Sequence, residues 1–205
     1  MPKPKKYVQI AYSYKQLRQF IPRLSERDAD FLRRAYDLAK QAHQGQTREA
    51  RTPFFNHPSR VAALTIQVGK LHDVTSVAAA LLHDAVENTK LTFEEIQVEL
   101  STRVADMVFI LTKPWKGMKG KTKDNGGYIQ RIAQSNDSCR IIKLCDRLDN
   151  TLSLPYNKSK DAETYLLESL KNHVQIIGRS SQNKNVVYLR TVLIEACLDT
   201  MKSHP

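Results

Sequence analysis

The sequence predicts an all-α fold, because helix-start signals recur along the chain while the alternating pattern of strands is nearly absent. Ser25 with Asp28, and Thr92 with Glu95, match the pattern in which a hydroxyl residue caps a helix and an acid follows three residues later. Apolar residues at helical spacing follow these starts. We therefore expect one helical bundle of about eight to ten helices.

The same signals place the helices in chain order. Gly45 ends the first helix and Gly69 the second, since glycine is favoured just beyond a helix end. Pro58 is typical of a first helical turn. The expected helices are at about 26–44, 58–68, from 73 or 75 onward, 92–100, 101–111, a short one near 128–132, one from 137, 160–178 and 184–202.

Length and composition indicate one soluble domain. At 205 residues with 41% hydrophobic and 26% charged residues, the chain is long enough for a full core and ordinary in composition. We divide it into a basic N-terminal extension over 1–25 and a main helical domain over 26–205. Within the latter, the motifs lie at about 30–155 and the last helices at 160–202.

Several features predict a cytoplasmic protein without a membrane span. No apolar run approaches the roughly 20 residues that a membrane-spanning helix needs. The basic start at Met1–Lys6 lacks the apolar stretch of a secretory signal. The cysteines are odd in number and show no CxxC spacing, which favours reduced thiols; they are Cys139, Cys145 and Cys197.

The net charge of +11 predicts an attraction for polyanions such as a highly phosphorylated nucleotide or RNA. Residues 113–123 place five lysines around Trp115. In one interpretation this basic loop clamps phosphates and stacks the tryptophan on a base, so that RNA is a further partner. In the other, which Gly117 and Gly120 favour, it is a solvated loop whose lysines keep the protein soluble.

The adjacent pair His83–Asp84 is the strongest functional signal. It follows the apolar stretch 75–82, and a buried imidazole and carboxylate need partners to offset their desolvation. One divalent metal would satisfy both. Two further candidate ligands are His57, just before the helix that begins at Pro58, and Asp146, within another apolar helical stretch. Two imidazoles and two carboxylates suit manganese, iron or zinc. Glu87 is expected to share the helical face of this pair and to offer a free carboxylate there.

Each of these residues also has an interpretation without a metal. His83 and Asp84 would then form a buried hydrogen-bonded pair, and His57 would be an ordinary turn histidine. Asp146 would pair with Lys143 or Arg147 on a helix surface. His43 is interpreted as a helix-end residue, with support of a ligand as the alternative, and no role is assigned to His72, His173 or His204.

The motifs in this order resemble those of the HD-domain phosphohydrolases. Within them the chain is most similar to the RelA/SpoT hydrolase domain and to its stand-alone versions, the small alarmone hydrolases. The resemblance covers roughly residues 30–155. It is carried by Asn56-His57-Pro58, Leu82-His83-Asp84-Ala85-Val86-Glu87 and the stretch 143–150, with further matches at 42–48, 52–54 and 111–114.

The resemblance implies roles for particular residues. It implies that His57, His83, Asp84 and Asp146 hold one manganese ion. It implies that Glu87, Asn88 and Asn150 position or activate the attacking water, and that Arg48 contacts substrate phosphate or base. Further candidates for substrate binding within the matched motifs are Lys113, Lys143 and Arg147.

The family's chemistry would be hydrolysis of the 3′-pyrophosphate of guanosine tetra- or pentaphosphate (ppGpp or pppGpp), giving GDP or GTP and pyrophosphate. Asn88 departs from the family pattern, which usually has an acid there, and an amide accepts a proton less readily than a carboxylate. The alternatives are therefore the same chemistry on NADPH, another nucleotide or a pyrophosphorylated tRNA end, and a degenerate domain that binds nucleotide or RNA. The sequence does not indicate an oligomeric state.

Overall fold

The computed structural model describes residues 7–48, 51–113, 125–157 and 161–203. These ranges contain eleven α-helices, one of them a single turn, and no strand beyond an isolated bridge between Thr47 and Pro53. The predicted all-α fold is confirmed. The helices are α1 (Tyr14–Phe20), α2 (Glu26–Ala42), α3 (Asn56–Gln67), α4 (Val74–Leu82), α5 (Ala85–Asn88), α6 (Phe93–Glu99), α7 (Thr102–Leu111), α8 (Asn125–Gln134), α9 (Asp137–Ser153), α10 (Ala162–Glu168) and α11 (Lys184–Ser203).

Side-chain caps start the helices where the sequence predicted them. The Ser25 hydroxyl accepts from the backbone N–H of Asp28 at 3.1 Å, and Thr92 and Glu95 form a reciprocal capping box. Helix α1 was not predicted, although Ser13 and Gln16 form the same kind of box at its start.

The chain turns at the His83–Asp84 pair instead of continuing as one helix. Helix α4 ends at Leu82, and the φ and ψ angles of Asp84 are −102° and −7°. The His83 ring nitrogen Nδ1 lies 2.8 Å from the carbonyl of Ala80, in the last turn of α4. Glu87 therefore does not continue the helix of His83, although Asp84 immediately precedes the short helix α5 that carries Glu87 and both acids line one cavity.

Helix α4 lies at the centre of the bundle. Every residue from Val77 to Leu82 is fully buried, and the helix packs against α2, α3, α7 and α9. Its three successive alanines allow this close packing on several sides. Helix α9 packs in turn against α3, α4 and α11, so that α3, α4 and α9 meet in the core.

Gly69 allows the end of α3 to approach α9 closely. A Cβ atom at this position would lie 2.5 Å from Ile141 Cγ2 and 2.8 Å from the carbonyl oxygen of Thr65, too close for any side chain. The predicted glycine stop is thus also a packing contact that fixes α3 relative to α9.

The predicted helix at 160–178 consists of α10 followed by a wider, π-helical segment, Ser169–Ile177. The wider turns change which side chains face inward, and they bury Ser169 and His173. Among the described residues, no helix has both the length and the apolar character to cross a bilayer.

Candidate metal centre and adjoining cavity

The four predicted metal ligands converge where α3, the α4–α5 junction and α9 meet. His57 Nε2 lies 3.3 Å from Asp146 Oδ1 and 3.5 Å from Asp84 Oδ2. His83 Nε2 lies 3.4 Å from Asp84 Oδ1 and 3.6 Å from Asp146 Oδ1. Donor atoms bound to one ion at about 2.0–2.2 Å are themselves roughly 3.0–3.5 Å apart, so this spacing suits a shared metal.

The surrounding hydrogen bonds orient both imidazoles as ligands. His57 Nδ1 lies 2.7 Å from Asp149 Oδ2, and His83 Nδ1 contacts the Ala80 carbonyl, so each ring donates through Nδ1. Each Nε2 atom then presents a lone pair towards the two carboxylates. Both Nε2 atoms are buried and have no hydrogen-bond partner among the described residues. The residues present therefore fit a divalent metal better than a hydrogen-bonded pair without one.

The electrostatics of the cluster favour a cation. Burial raises the pKa of Asp146, but the Lys143 ammonium and the two histidines outweigh it and hold this pKa well below its usual range. Burial and Arg48 lower the pKa of His57, yet the carboxylates of Asp146, Asp149 and Asp84 outweigh them and raise it to about 9. These carboxylates thus stabilise positive charge at the position where their oxygens and the imidazoles meet.

Two neighbours on α9 hold the Asp146 carboxylate in place. Lys143 Nζ lies 2.7 Å from Asp146 Oδ2, and Asn150 Nδ2 donates to Asp146 Oδ1 at 2.6 Å. Asn150 also accepts through Oδ1 from Arg48 Nη2 at 2.5 Å. Lys143 and Asn150, predicted as substrate-binding and catalytic residues, are thus both bonded directly to a ligand candidate. Asn150 does not cap its helix, because α9 continues to Ser153.

Glu87 and Asn88 lie beside this cluster on α5. The Glu87 carboxylate is not free as expected: Lys113 Nζ lies 3.0 Å from its Oε1. The Asn88 side-chain amide donates to the backbone carbonyl of Asp84 at 3.1 Å. The backbone carbonyl of Asn88 accepts from the Gln46 side chain at 2.8 Å. Asn88 therefore stabilises the turn that carries Asp84.

All of the candidate residues except the two histidines face one cavity of about 430 Å³. His57 and His83 do not line it; they are buried against Asp84 and Asp146, which do. The basic loop falls almost entirely outside the described residues, which include only Lys113 of it. The predicted residues that line the cavity are Arg48, Asp84, Glu87, Asn88, Lys113, Lys143, Asp146, Arg147 and Asn150.

Aromatic residues that the sequence analysis did not single out complete the cavity wall. The Phe54 ring stacks on the His43 ring with centroids 4.5 Å apart. The Arg48 guanidinium lies 5.4 Å from the centroid of the Phe54 ring. The Arg147 guanidinium lies 3.6 Å from the centroid of the Tyr165 ring. Flat apolar faces beside guanidinium groups give the cavity surfaces on which a base could stack.

Asp149 and His173 are further residues that sequence reasoning missed. For Asp149 a signal existed, since a second acid follows Asp146 three residues later in the same apolar helix. Burial raises its pKa, but His57 and Arg60 outweigh this and lower it to about 2. His173 lines the cavity from the π-helical segment after α10, and its sequence carries no signal for that conformation.

A helical bundle that gathers two imidazoles and two carboxylates beside a cation-lined cavity is typical of metal-dependent phosphohydrolases. The chain belongs to the HD-domain family, whose pattern matches residues 35–172.

Relatives with known names confirm the resemblance to RelA/SpoT-type hydrolases. The chain is 38% identical over 153 residues to the guanosine-3′,5′-bis(diphosphate) 3′-pyrophosphohydrolase of Aquifex aeolicus strain VF5, a match covering 74% of this chain and 22% of that protein. It is 32% identical over 148 residues to the bifunctional (p)ppGpp synthase/hydrolase SpoT of Escherichia coli K12, covering 70% and 21%. The chain thus spans about a fifth of the length of these relatives.

A solved structure supports the fold. A metazoan orthologue of SpoT, described as hydrolysing ppGpp, superposes with a TM-score of 0.71 at 24% identity, over 82% of this chain and 94% of that one. At this identity the match establishes a shared architecture.

Proposed function

We propose that this chain is a metal-dependent hydrolase that removes pyrophosphate from the 3′ position of guanosine tetra- or pentaphosphate. The products would be GDP or GTP and pyrophosphate. The observation that carries the proposal is the convergence of His57, His83, Asp84 and Asp146 at a cavity lined by cations. The names of the relatives supply the substrate class.

The metal would be held by the Nε2 atoms of His57 and His83 and by the carboxylates of Asp84 and Asp146. Manganese is our choice among the divalent ions, since mixed imidazole and carboxylate ligands suit it. A bound divalent ion supplies Lewis acidity, which lowers the pKa of water and polarises a phosphoryl oxygen.

Glu87 is the proposed general base. Its carboxylate lines the cavity beside Asp84, and the ion pair with Lys113 orients it. It would take a proton as the water oxygen forms a bond to the phosphorus of the 3′-pyrophosphate. The bond from this phosphorus to the 3′-oxygen breaks, and the oxygen leaves as a hydroxyl after protonation. Asn88 bonds to the carbonyl of Asp84, in the turn before Glu87, and we assign it a structural role while Glu87 takes the proton.

Cations around the cavity would bind the phosphates. Arg48 presents a planar guanidinium held by Asn150, which is itself bonded to Asp146, so phosphate recognition is physically joined to the metal centre. Arg147 is largely buried in the cavity wall. Its guanidinium is held there by a hydrogen bond to Ser169 and by the Tyr165 ring. A substrate with several phosphates would use more of these cations than a monophosphate.

Because Asn88 stands where the family usually has an acid, we also consider NADPH as a substrate. NADPH carries a 2′-phosphate whose removal needs the same water activation and metal, with fewer phosphate contacts at the reacting ribose. We therefore include it as a competing substrate in the test below.

The test uses metal-free protein incubated with ppGpp, with and without Mn²⁺, with products separated by anion-exchange chromatography. We expect GDP and pyrophosphate only when Mn²⁺ is present. The variant His83→Gln should lose this activity, while His72→Gln, which changes an exposed histidine, should keep it. If folded, metal-loaded protein leaves ppGpp intact and releases phosphate from NADPH, the substrate assignment is wrong.

A further inference from the structure

We propose that Asp149 is a positioning residue of the metal centre, and that the N-terminal turn Tyr7–Gln9 supports it through the Tyr7 hydroxyl. This inference rests on the metal site proposed above. Asp149 does not line the cavity, and it is not among the residues that the sequence predicted for the site.

Asp149 contacts His57, one of the proposed metal ligands. His57 reaches the metal position through Nε2 while its Nδ1 lies 2.7 Å from Asp149 Oδ2. A carboxylate at this distance fixes the ring orientation and makes Nε2 the atom that carries the lone pair. It also increases the basicity of the imidazole, and such outer partners strengthen metal binding in many proteins.

Asp149 is itself held by hydrogen bonds from three residues. Besides His57, it accepts from Arg60 Nε at 2.7 Å, from Arg60 Nη2 at 3.0 Å and from the Tyr7 hydroxyl at 2.7 Å. Only 1% of the residue is exposed. Four hydrogen bonds to two oxygens nearly exhaust what a carboxylate accepts, so its position is fixed.

Residues of α3, the helix that carries His57, also bind the N-terminal segment through hydrogen bonds. Arg60 Nη1 donates to the carbonyls of Val8 and Ile10 at 3.2 and 3.1 Å. Asn56, next to His57, also donates to Val8, at 3.2 Å. The segment around Tyr7 thus packs against α3 and α9 beside His57, and the Tyr7 hydroxyl supplies one of the four bonds to Asp149.

The test measures Mn²⁺ affinity of metal-free full-length protein by titration calorimetry, together with the visible spectrum of the Co²⁺-loaded form. Asp149→Asn should weaken Mn²⁺ binding about 10- to 100-fold, because the amide offers one acceptor oxygen in place of two. Tyr7→Phe should weaken it less, about fivefold, since one of four bonds is lost. Both should alter the Co²⁺ bands.

Tyr14→Phe is the matched control. It also removes one tyrosine hydroxyl from the N-terminal segment, but that hydroxyl donates to the carbonyl of Ala29 at 2.9 Å, away from Asp149. We expect its Mn²⁺ affinity and Co²⁺ spectrum to match those of the unmodified protein. A purely structural role for Tyr7 would lower the unfolding temperature of both tyrosine variants and leave metal affinity unchanged.

The outcomes separate this inference from the proposed function. Should the unmodified protein bind no metal, the metal site itself is overturned. If it binds Mn²⁺ and Asp149→Asn binds equally well, the role of Asp149 is overturned alone. If Asp149→Asn does not fold, Tyr7→Phe decides: an affinity within twofold of Tyr14→Phe overturns the proposal.

Discussion

Glu87 and Lys113 form an ion pair in the cavity wall, and this pair fixes the orientation of the Glu87 carboxylate. Lys113 Nζ lies 3.0 Å from Glu87 Oε1, and the Lys113 backbone N–H lies 3.4 Å from Oε2. Both contacts orient the carboxylate while leaving it a cavity-lining residue. Among the acids proposed for the chemistry, Glu87 is thus the one that we expect to transfer the proton, since Asp84 and Asp146 are the proposed metal ligands.

Glu87→Gln tests this assignment. We expect kcat for ppGpp to fall about 10²- to 10⁴-fold, the usual contribution of a general base, because the amide keeps the shape but accepts no proton. Mn²⁺ affinity should not change, since no Glu87 oxygen is among the clustered ligand atoms. The control is Glu94→Gln, at an exposed position of α6. An unchanged kcat in Glu87→Gln would show that another group takes the proton.

At the scale of the helices, the π-helical segment after α10 brings a neutral histidine to the cavity. Burial lowers the pKa of His173 well below its usual value, and the nearby charges of Arg147 and Lys143 lower it further. The Arg147 guanidinium is bonded to Ser169 at the start of the same segment, so the cation and the histidine keep their places together.

His173 should therefore make the protein less stable in mild acid. The unfolded chain binds a proton at His173 below about pH 6.5, whereas the folded protein does not, so folding stability falls as the pH drops through this value. This residue contributes a slope of up to about 1.4 kcal/mol per pH unit. In the metal-free protein His57 acts in the opposite direction, because its raised pKa adds stability that is lost as the pH rises through about 9.

Urea unfolding between pH 7 and pH 5 checks this. We expect His173→Gln to flatten the acid-side slope, and His72→Gln, at an exposed position, to leave it as it is. Equal slopes in all three proteins would mean that His173 is protonated in the folded state.

The helices themselves were predictable to the extent that their signals are local. Ser25, Thr92 and Ser101 cap the helices expected of them, because a cap needs only residues within one turn. The break after Leu82 and the wide turns around His173 were not predicted, since neither stretch contains the glycine or proline that usually marks an irregular helix. Local propensity alone would have continued each helix.

At the scale of the whole molecule, the candidate ligands were predictable but their supports were not. His83 and Asp84 are informative because two polar residues follow an apolar stretch, and the motif order then adds His57 and Asp146. Asp149 and Tyr7 are 142 positions apart, and no sequence pattern connects them. Their contact arises from the packing of the N-terminal segment across α3 and α9.

Because the ligand candidates come from α3, the α4–α5 junction and α9, a bound ion would cross-link the centre of the bundle. Metal that binds the folded state alone stabilises it by about 2.7 kcal/mol at a concentration 100 times Kd. For a chain of this size we expect Mn²⁺ to raise Tm by about 5–10 °C, and a chelator to reverse the rise. His57→Gln removes one ligand while leaving the helices connected, so its Tm should respond only weakly to Mn²⁺. An equal rise in this variant would place the ion elsewhere on the molecule.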